Sequence, residues 1–211
     1  MSKANLGVLS SGRGSNLQAI MDAIKAGKLN AKIVVVVSDK KESQALERAK
    51  QGGITSVHLS PKDYSTRELY DSAVVKILQE YAVDLVVLAG YMRIITSALI
   101  TPYRNRVMNI HPSLLPSFPG LHSQRQALEH GVKITGVTVH FVDEQVDHGP
   151  IIVQAAVPVL DTDTEETLSA RILEQEHHIY PLAIQWFAEG RLKIMGRRVI
   201  VEGVETVRGG G

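Results

Sequence analysis

The sequence contains no cysteine, and this absence limits the chemistry that the chain can perform. Without thiols there is no disulfide, no thiolate metal ligand and no cysteine nucleophile. A large excess of either charge is also absent, because 23 Lys and Arg are balanced by 22 Asp and Glu, for a formal net charge of +1. A broad positive surface for nucleic acid is therefore not expected.

Long apolar runs are missing as well. No segment approaches the roughly 18 apolar residues of a membrane-spanning helix, and the first five residues lead into a strand-like stretch without the apolar core of a signal peptide. We therefore expect a cytoplasmic protein with no membrane partner. The 44% hydrophobic and 21% charged residues are typical of a folded globular chain. The length of 211 residues favours a single domain, 1–211.

Short apolar runs alternate with helical patterns over the first two thirds of the chain. This is the order of βαβ units on a parallel sheet. It predicts a doubly wound, mostly parallel α/β fold. The predicted strands are 6–10, 33–38, 54–59, 84–89 and 107–110, and the predicted helices are 16–26, 42–51 and 66–81.

The C-terminal part of the chain has a different pattern. Strand-like runs at 136–142 and 151–159 are too close for a helical crossover, so we expect them to be antiparallel. A long helix is predicted to begin at Thr164 and to run to about residue 189, with a kink at Pro181. A small hairpin is predicted at 191–201, and the three glycines at 209–211 are expected to form a frayed end.

A glycine-rich stretch, SSGRGSN at residues 10–16, separates the first predicted strand from the first predicted helix. Glycines let backbone N–H groups turn inward, and a helix N-terminus adds positive dipole, so the stretch predicts an anion site. It lacks the third glycine of a dinucleotide fingerprint and the Gly-Lys-Ser/Thr of a P-loop, so a phosphomonoester fits better than NAD or ATP. The alternative is a tight turn in which Ser15 or Asn16 caps the helix.

Asn109 and His111 stand at the end of the strand predicted at 107–110. Side chains two residues apart on a strand project to the same side, and ligands of open α/β sheets gather at the carboxyl ends of strands. An asparagine N–H can donate to a developing oxyanion, and a histidine can exchange protons near neutral pH. The pair therefore predicts a catalytic site, whereas either residue alone would favour a structural role.

Asp147 lies in a polar loop, DEQVDHGP at residues 143–150, between two apolar strands. The Gly-Pro that follows closely would hold it in a fixed turn. A carboxylate there can orient His111 and favour its protonated form. Without the Asn-x-His pair, an ordinary turn aspartate would be the better interpretation.

The tandem histidines 177 and 178 are the one feature that suggests a metal. Adjacent helix positions diverge by about 100°, so the two rings cannot share a ligand site easily. The sequence also lacks the His-Glu-x-x-His spacing of a helical zinc site. We therefore expect no metal.

Several segments together resemble the glycinamide ribonucleotide formyltransferases, a folate-dependent family. They are SGRGSNLQ at 11–18, LAGYMRI at 88–94, NIHPSLLP at 109–116 and DHGPI at 147–151. The segment QEHHIYP at 175–181 is similar to a helical segment of the family, so the resemblance spans almost the whole chain. Two positions depart from it: Gln124 replaces a histidine of some relatives, and His148 replaces the usual glycine or alanine.

The resemblance implies an N-terminal nucleotide-binding half, about 1–105, and a C-terminal half, about 106–211, that completes a folate cleft. It implies transfer of a formyl group from the cosubstrate 10-formyltetrahydrofolate to the amine of glycinamide ribonucleotide (GAR), in de novo purine biosynthesis. Its partners would be these small molecules, and the chain would be a monomer or homodimer.

The resemblance also assigns residues. The implied catalytic residues are Asn109, His111 and Asp147; GAR would contact Gly14, Ser15 and Asn16 through its phosphate and Glu176 through its ribose; folate would contact Arg67, Met92, Arg93, Ile94, Ile95 and Asn109.

Three other functions stay open at this point. Methionyl-tRNA formyltransferase shares the Asn-x-His and Asp-x-Gly-Pro signatures, but it normally has a further C-terminal domain and a basic tRNA surface. Formyltetrahydrofolate hydrolase usually has an N-terminal regulatory domain. A sensor that binds a phosphate ligand would use the glycine-rich loop alone and would leave the Asn-His-Asp set unexplained.

Overall fold

The computed structural model describes residues 3–203, which form one mixed sheet covered by helices on both faces. The strands are β1 (Ala4–Leu9), β2 (Ala31–Ser38), β3 (Ser56–His58), β4 (Leu85–Leu88), β5 (Val107–His111), β6 (Ile134–Phe141), β7 (Ile151–Pro158), β8 (Leu192–Met195) and β9 (Arg198–Val201). The helices are α1 (Ser15–Lys25), α2 (Gln44–Gln51), α3 (Arg67–Glu80), α4 (Ser97–Ile100), α5 (Ser123–Glu129) and α6 (Glu165–Ala188).

The strands follow the order β3-β2-β1-β4-β5-β6-β7-β9-β8. The first five of these are parallel to one another, which confirms the predicted doubly wound half. The strand order reverses between β1 and β4, and loops at such a switch point diverge to leave a crevice at the carboxyl ends of the strands. The glycine-rich loop after β1 and the segment after β4 both lie at this crevice.

The pairs β5–β6 and β6–β7 are antiparallel, as the short spacing between β6 and β7 predicted. The C-terminal hairpin of β8 and β9 extends the sheet, because β9 joins β7 in parallel through Ile151 and Arg198. Sequence pattern indicated the hairpin but not its place in the sheet. The glycines at 209–211 lie outside the described residues.

Successive side chains of the parallel strands point to opposite faces of the sheet, and apolar side chains on both faces pack against helices. In β4, Leu85 and Val87 belong to the apolar cluster formed with α1 and α6, whereas Val86 and Leu88 belong to the cluster formed with α3 and α4. All four side chains are buried. Strands buried on both faces read as continuous apolar runs, which is how the sequence signalled them.

Helix α6 is the longest element and connects the two parts of the sheet. The helix begins after Thr164, as the sequence predicted; Thr164 caps it in a reciprocal hydrogen-bond pair with Thr167, and the helix continues on both sides of Pro181. The buried hydroxyl of Tyr180 lies 2.9 Å from the carbonyl oxygen of Leu88 and 2.8 Å from that of Met108. It thereby ties α6 to β4 and β5 beside the candidate catalytic positions.

Every predicted helix and strand occurs, with ends within two residues of the predicted ones. Two helices that position the site were not predicted: α4 has only 4 residues, and α5 has 7. Such short helices carry too little apolar periodicity to be recognised. None of the described helices combines the length and the apolar character needed to cross a membrane.

Candidate active site

The loop between β1 and α1 turns its carbonyl groups toward α2. The Gly12 carbonyl accepts from the Ala45 N–H at 3.2 Å, and the Arg13 carbonyl accepts from Nε of Arg48 at 3.0 Å. Because α2 occupies these acceptors, the loop presents mainly donors to a ligand. This is the arrangement that binds anions.

Helix α1 begins without a side-chain cap. Gly14 precedes it in the left-handed region with φ 69°, and neither Ser15 nor Asn16 caps the helix, so the alternative interpretation as a capped turn is wrong. The backbone N–H groups of these three residues have no acceptor within residues 3–203. A Cβ at position 14 would lie 2.8 Å from the Ala45 Cα, so only glycine fits this bend.

Asn16 and Glu176 meet at the base of the loop. Nδ2 of Asn16 donates to Oε2 of Glu176 at 2.7 Å, although 160 residues separate them in sequence. Burial raises the pKa of Glu176 above its ordinary range. The two side chains line a cavity of about 740 Å³ together with Gly14 and Ser15, so the structure brings all four predicted GAR residues to one place.

His111 and Asp147 also come together. Nδ1 of His111 lies 3.3 Å from Oδ2 of Asp147, and both side chains are nearly buried. The Gly120 N–H donates to the same Oδ2 at 2.8 Å, which fixes the carboxylate. On the other side of the ring, Nε2 of His111 lies 2.9 Å from the Phe118 carbonyl oxygen. Both ring nitrogens therefore face acceptors, and the doubly protonated ring can donate to both.

Asp147 is held in an unusual backbone conformation, with φ 51°. Asp and Asn tolerate this left-handed region better than most residues. Gly149 follows because a Cβ there would lie 1.9 Å from the Phe141 carbonyl oxygen. The turn that the sequence predicted is thus present, and it directs the carboxylate toward His111.

His140 is a site residue that sequence reasoning missed. Its Nδ1 lies 2.8 Å from the Phe141 carbonyl oxygen, so Nδ1 carries the proton and Nε2 is an acceptor. Nδ2 of Asn109 lies 3.2 Å from that Nε2 and donates to it. Burial lowers the pKa of His140, which keeps the ring neutral. In the sequence, His140 lies between Val139 and Phe141 in an apolar strand, and this pattern predicts only a core residue.

A second cavity, of about 560 Å³, lies on the other side of the candidate catalytic residues. Met92 and Ile94 line it and are 68% and 58% exposed, so their apolar surface is free to meet a ligand. The lining also contains the other residues of the predicted folate segment, Arg93 and Ile95, and the three candidate catalytic positions. The loop 143–147 forms the opposite wall.

The segment that lines this cavity is fastened to α3. Oδ2 of Asp71 accepts from the Thr96 N–H at 2.6 Å, and the guanidinium of Arg93 lies over the Tyr70 ring at 4.7 Å. Burial raises the pKa of Asp71. These contacts leave the main chain of the segment fixed at the edge of the cavity.

Arg67 is not brought to this site by the structure. It begins α3, is exposed, and is not part of the lining of either cavity. Its predicted contact with folate stays a prediction.

The two cavities share one wall. Gly90, Met92, Ile110, Pro112 and Gln124 line both of them. Because Ile110 and Pro112 flank His111, a group held in one cavity meets a group held in the other beside Asn109, His111 and Asp147. Within residues 3–203 no cluster of three or more His, Asp or Glu is arranged to hold a metal ion.

A family model described as formyl transferase matches residues 4–184. This match covers most of the chain, including every candidate catalytic position. The chain belongs to the formyl transferase family.

Particular relatives narrow the identification. The chain is 50% identical to phosphoribosylglycinamide formyltransferase of Escherichia coli over 190 residues, which is 90% of each chain. A crystal structure of glycinamide ribonucleotide transformylase 1 from Symbiobacterium toebii has a TM-score of 0.94 and 55% identity, and it matches 95% of this chain and 94% of that one. A formyltetrahydrofolate deformylase from Pseudomonas syringae is less similar, with 29% identity and a TM-score of 0.86 over 94% of this chain and 66% of its own. These comparisons confirm the resemblance indicated by the sequence motifs.

Proposed function

We propose that this chain is the enzyme that transfers the formyl group of 10-formyltetrahydrofolate to the amine of GAR, which is also called phosphoribosylglycinamide, in purine biosynthesis. The products are formyl-GAR and tetrahydrofolate. The observation that carries the proposal is the wall shared by two cavities, one lined by the glycine-rich loop and the other largely apolar, with Asn109, His111 and Asp147 beside it.

The first cavity suits GAR. The uncapped N-terminus of α1 offers backbone N–H groups to the phosphate. Glu176 lies deeper in the same cavity and can accept hydrogen bonds from ribose hydroxyls. A ligand fastened at these two points directs its glycyl amine toward the shared wall.

The second cavity suits the pterin and aryl parts of the folate. Apolar side chains such as Met92 and Ile94 supply contact area, while the main chain of the same segment supplies polar groups. The formyl group then lies at the shared wall, within reach of the amine.

The chemistry is direct transfer through a tetrahedral intermediate. The amine attacks the formyl carbon, and the Asn109 amide, oriented by His140, donates to the oxyanion. His111 donates from Nε2, which faces the Phe118 carbonyl, and the oxyanion replaces that carbonyl as acceptor. Asp147 holds the ring and passes a proton from the attacking amine to the folate nitrogen, so that the bond between this nitrogen and the formyl carbon breaks and tetrahydrofolate leaves.

Further features of the protein belong to the proposal. We infer that residues 1–211 form one domain whose halves meet near residue 105, since β5 joins the parallel part of the sheet to the antiparallel part. We also infer action in the cytoplasm as a monomer or homodimer, with 10-formyltetrahydrofolate as cosubstrate and no metal.

A competition assay tests the function. The enzyme is supplied with 10-formyltetrahydrofolate and with GAR, methionyl-tRNA and water as acceptors, and formyl-GAR, formyl-methionyl-tRNA and formate are measured separately. We expect formyl-GAR alone, and the rate of its formation should fall by about 10²–10³ in Asn109→Ala.

The other outcomes each overturn the proposal in a different way. Formate release independent of GAR would identify a hydrolase, and formylated tRNA would identify the tRNA enzyme. Binding of GAR without turnover would identify a sensor. The net charge argues against tRNA as the acceptor, because +1 over 211 residues provides little attraction for a polyanion.

A further inference from the structure

The turn of the C-terminal hairpin contacts the loop that carries Asp147. Nη2 of Arg197, in the turn between β8 and β9, donates to the His148 carbonyl oxygen at 2.7 Å. Nη1 of the same guanidinium lies 2.7 Å from Nε2 and 3.1 Å from Nδ1 of the His148 ring. The Arg197 side chain thus contacts both the backbone and the ring of His148, the residue that follows Asp147.

The contacts continue into the loop. Nδ1 of His148 donates to Oδ2 of Asp143 at 2.8 Å, so Nε2 is left as the acceptor for Arg197. Oδ1 of Asp143 accepts from the Gln145 N–H at 3.0 Å. The imidazole therefore bridges a guanidinium and a carboxylate, accepting from the first and donating to the second.

The loop at 143–147 needs such a support. Its five residues line the second cavity, and Val146 is 53% exposed, so little apolar packing holds the loop in place. Apart from the contacts of Asp147, the side-chain tether of this loop is Arg104 to Glu144, an exposed pair with side chains 59% and 50% exposed, and pairs of this kind contribute little. The two contacts of the Arg197 guanidinium with His148 are better suited to fix the loop.

We propose that Arg197 is a positioning residue for the folate cavity: acting through His148 and Asp143, it holds the loop at 143–147 in the conformation that receives the cosubstrate. Asp147 has its own anchors in Gly120 and His111. Loss of Arg197 therefore weakens folate binding more than it slows the chemical step. The proposal rests on the assignment of folate to this cavity.

Arg197→Met in the full-length enzyme tests the proposal, because it keeps an aliphatic side chain and removes every donor. We expect KM for 10-formyltetrahydrofolate and Kd for tetrahydrofolate to rise by about threefold to tenfold, as for loss of one partly exposed charge-assisted contact. KM for GAR and kcat at saturation should stay within about twofold, since binding energy restores the loop in the complex.

Arg198→Met is the matched control. Arg198 is exposed on β9, and its side chain makes no hydrogen bond to any residue of the part of the chain that the structure describes. It should resemble the wild type in every measurement. Arg197→Lys, which keeps charge but cannot grip two acceptors in a fixed fork, should give an intermediate effect.

Hydrogen exchange of the free enzyme separates the proposal from the assignment of the cavity. Amides of the loop at 143–147 should exchange faster in Arg197→Met than in Arg198→Met, whatever ligand the cavity takes. Equal exchange in the two variants would overturn the proposal. Faster exchange with unchanged folate affinity would overturn the link to the cosubstrate, and equal increases in both KM values would indicate a general structural defect instead.

Discussion

Nδ2 of Asn109 and Nε2 of His140 are held 3.2 Å apart because their residues are directly paired across β5 and β6. The proton on Nδ1 of His140 points to the Phe141 carbonyl, so Nε2 can only accept. This fixes which end of the Asn109 amide is the nitrogen. One N–H goes to His140, and the second is available to the oxyanion.

His140→Phe keeps most of the ring volume and removes the acceptor. We expect kcat to fall by about tenfold to a hundredfold, less than for loss of the oxyanion donor itself, which is worth about 10²–10³. The measurement is steady-state turnover with both substrates saturating.

A double-mutant cycle gives the control for this prediction. If His140 acts through Asn109, adding His140→Phe to Asn109→Ala should cause little further loss. Independent, multiplying losses in the two variants would contradict the positioning role and assign His140 a separate one.

Asp147→Asn removes the carboxylate charge and preserves the local structure, because asparagine also tolerates the left-handed backbone at φ 51°. The amide oxygen can still accept from the Gly120 N–H, but the negative charge opposite Nδ1 of His111 is gone. We expect turnover to fall by roughly 10²–10⁴, the usual range for an acid–base element.

Turnover should be measured with folded protein and saturating substrates. Asp161→Asn, which changes an exposed aspartate paired with Lys133, is the control and should be active. Near-normal turnover in Asp147→Asn would exclude Asp147 from the mechanism and leave His111 without its partner.

Gly14→Ala tests the anion loop. The new Cβ would lie 2.8 Å from the Ala45 Cα and would also strain a left-handed φ of 69°. The loop must then shift away from α2, which moves the amides that we propose bind the phosphate. We expect KM for GAR to rise by about tenfold or more, the effect of roughly one lost hydrogen bond to a charged group, with KM for folate nearly unchanged.

Gly53→Ala reproduces the strain without the crowding, since Gly53 has φ 69° and nothing within 4 Å of its Cβ position. This control should lose some stability and no affinity for GAR. If both KM values rise together in Gly14→Ala, the loop is a structural feature of the fold rather than a phosphate site.

Glu176→Gln tests a buried carboxylate whose pKa is raised by burial above the ordinary value of 4.5. In the window between the ordinary and the raised pKa, the native protein retains a proton that the unfolded chain has lost. Stability therefore falls as pH rises through this window. Glutamine keeps the acceptor for Asn16 and does not ionise, so the variant should unfold at a higher temperature than the wild type at pH 8 and should match it more closely at pH 4.

The affinity of Glu176→Gln for GAR should fall, although its stability at pH 8 should rise. A neutral amide accepts hydrogen bonds from ribose less strongly than a carboxylate, so KM for GAR should rise in Glu176→Gln. Glu174→Gln, on the exposed side of the same helix, is the control for thermal unfolding and kinetics. A lower unfolding temperature for Glu176→Gln than for the wild type at pH 8 would mean that the ionised carboxylate stabilises the native protein, which contradicts the prediction.

Local sequence patterns were enough to predict the doubly wound fold and the three candidate catalytic residues. Apolar runs such as those of β4 have few conformational alternatives when both faces are buried, and the Asn-x-His spacing places two side chains on one side of a strand. The sequence also predicts that the glycine-rich loop binds a simple phosphate, because the lack of a fingerprint for NAD or ATP is a local property.

Which side chains come into contact depends on how the whole chain folds. Asn16 and Glu176 lie 160 residues apart in sequence, and the contact of Arg197 with His148 depends on β9 joining β7. Neither contact can be predicted from a local sequence pattern. His140 was hidden because a buried histidine on an apolar strand has the same sequence pattern as core. We infer that His140 orients Asn109 from the tautomer of its ring and from the pairing of the two residues across β5 and β6. Both exist only once the strands have paired.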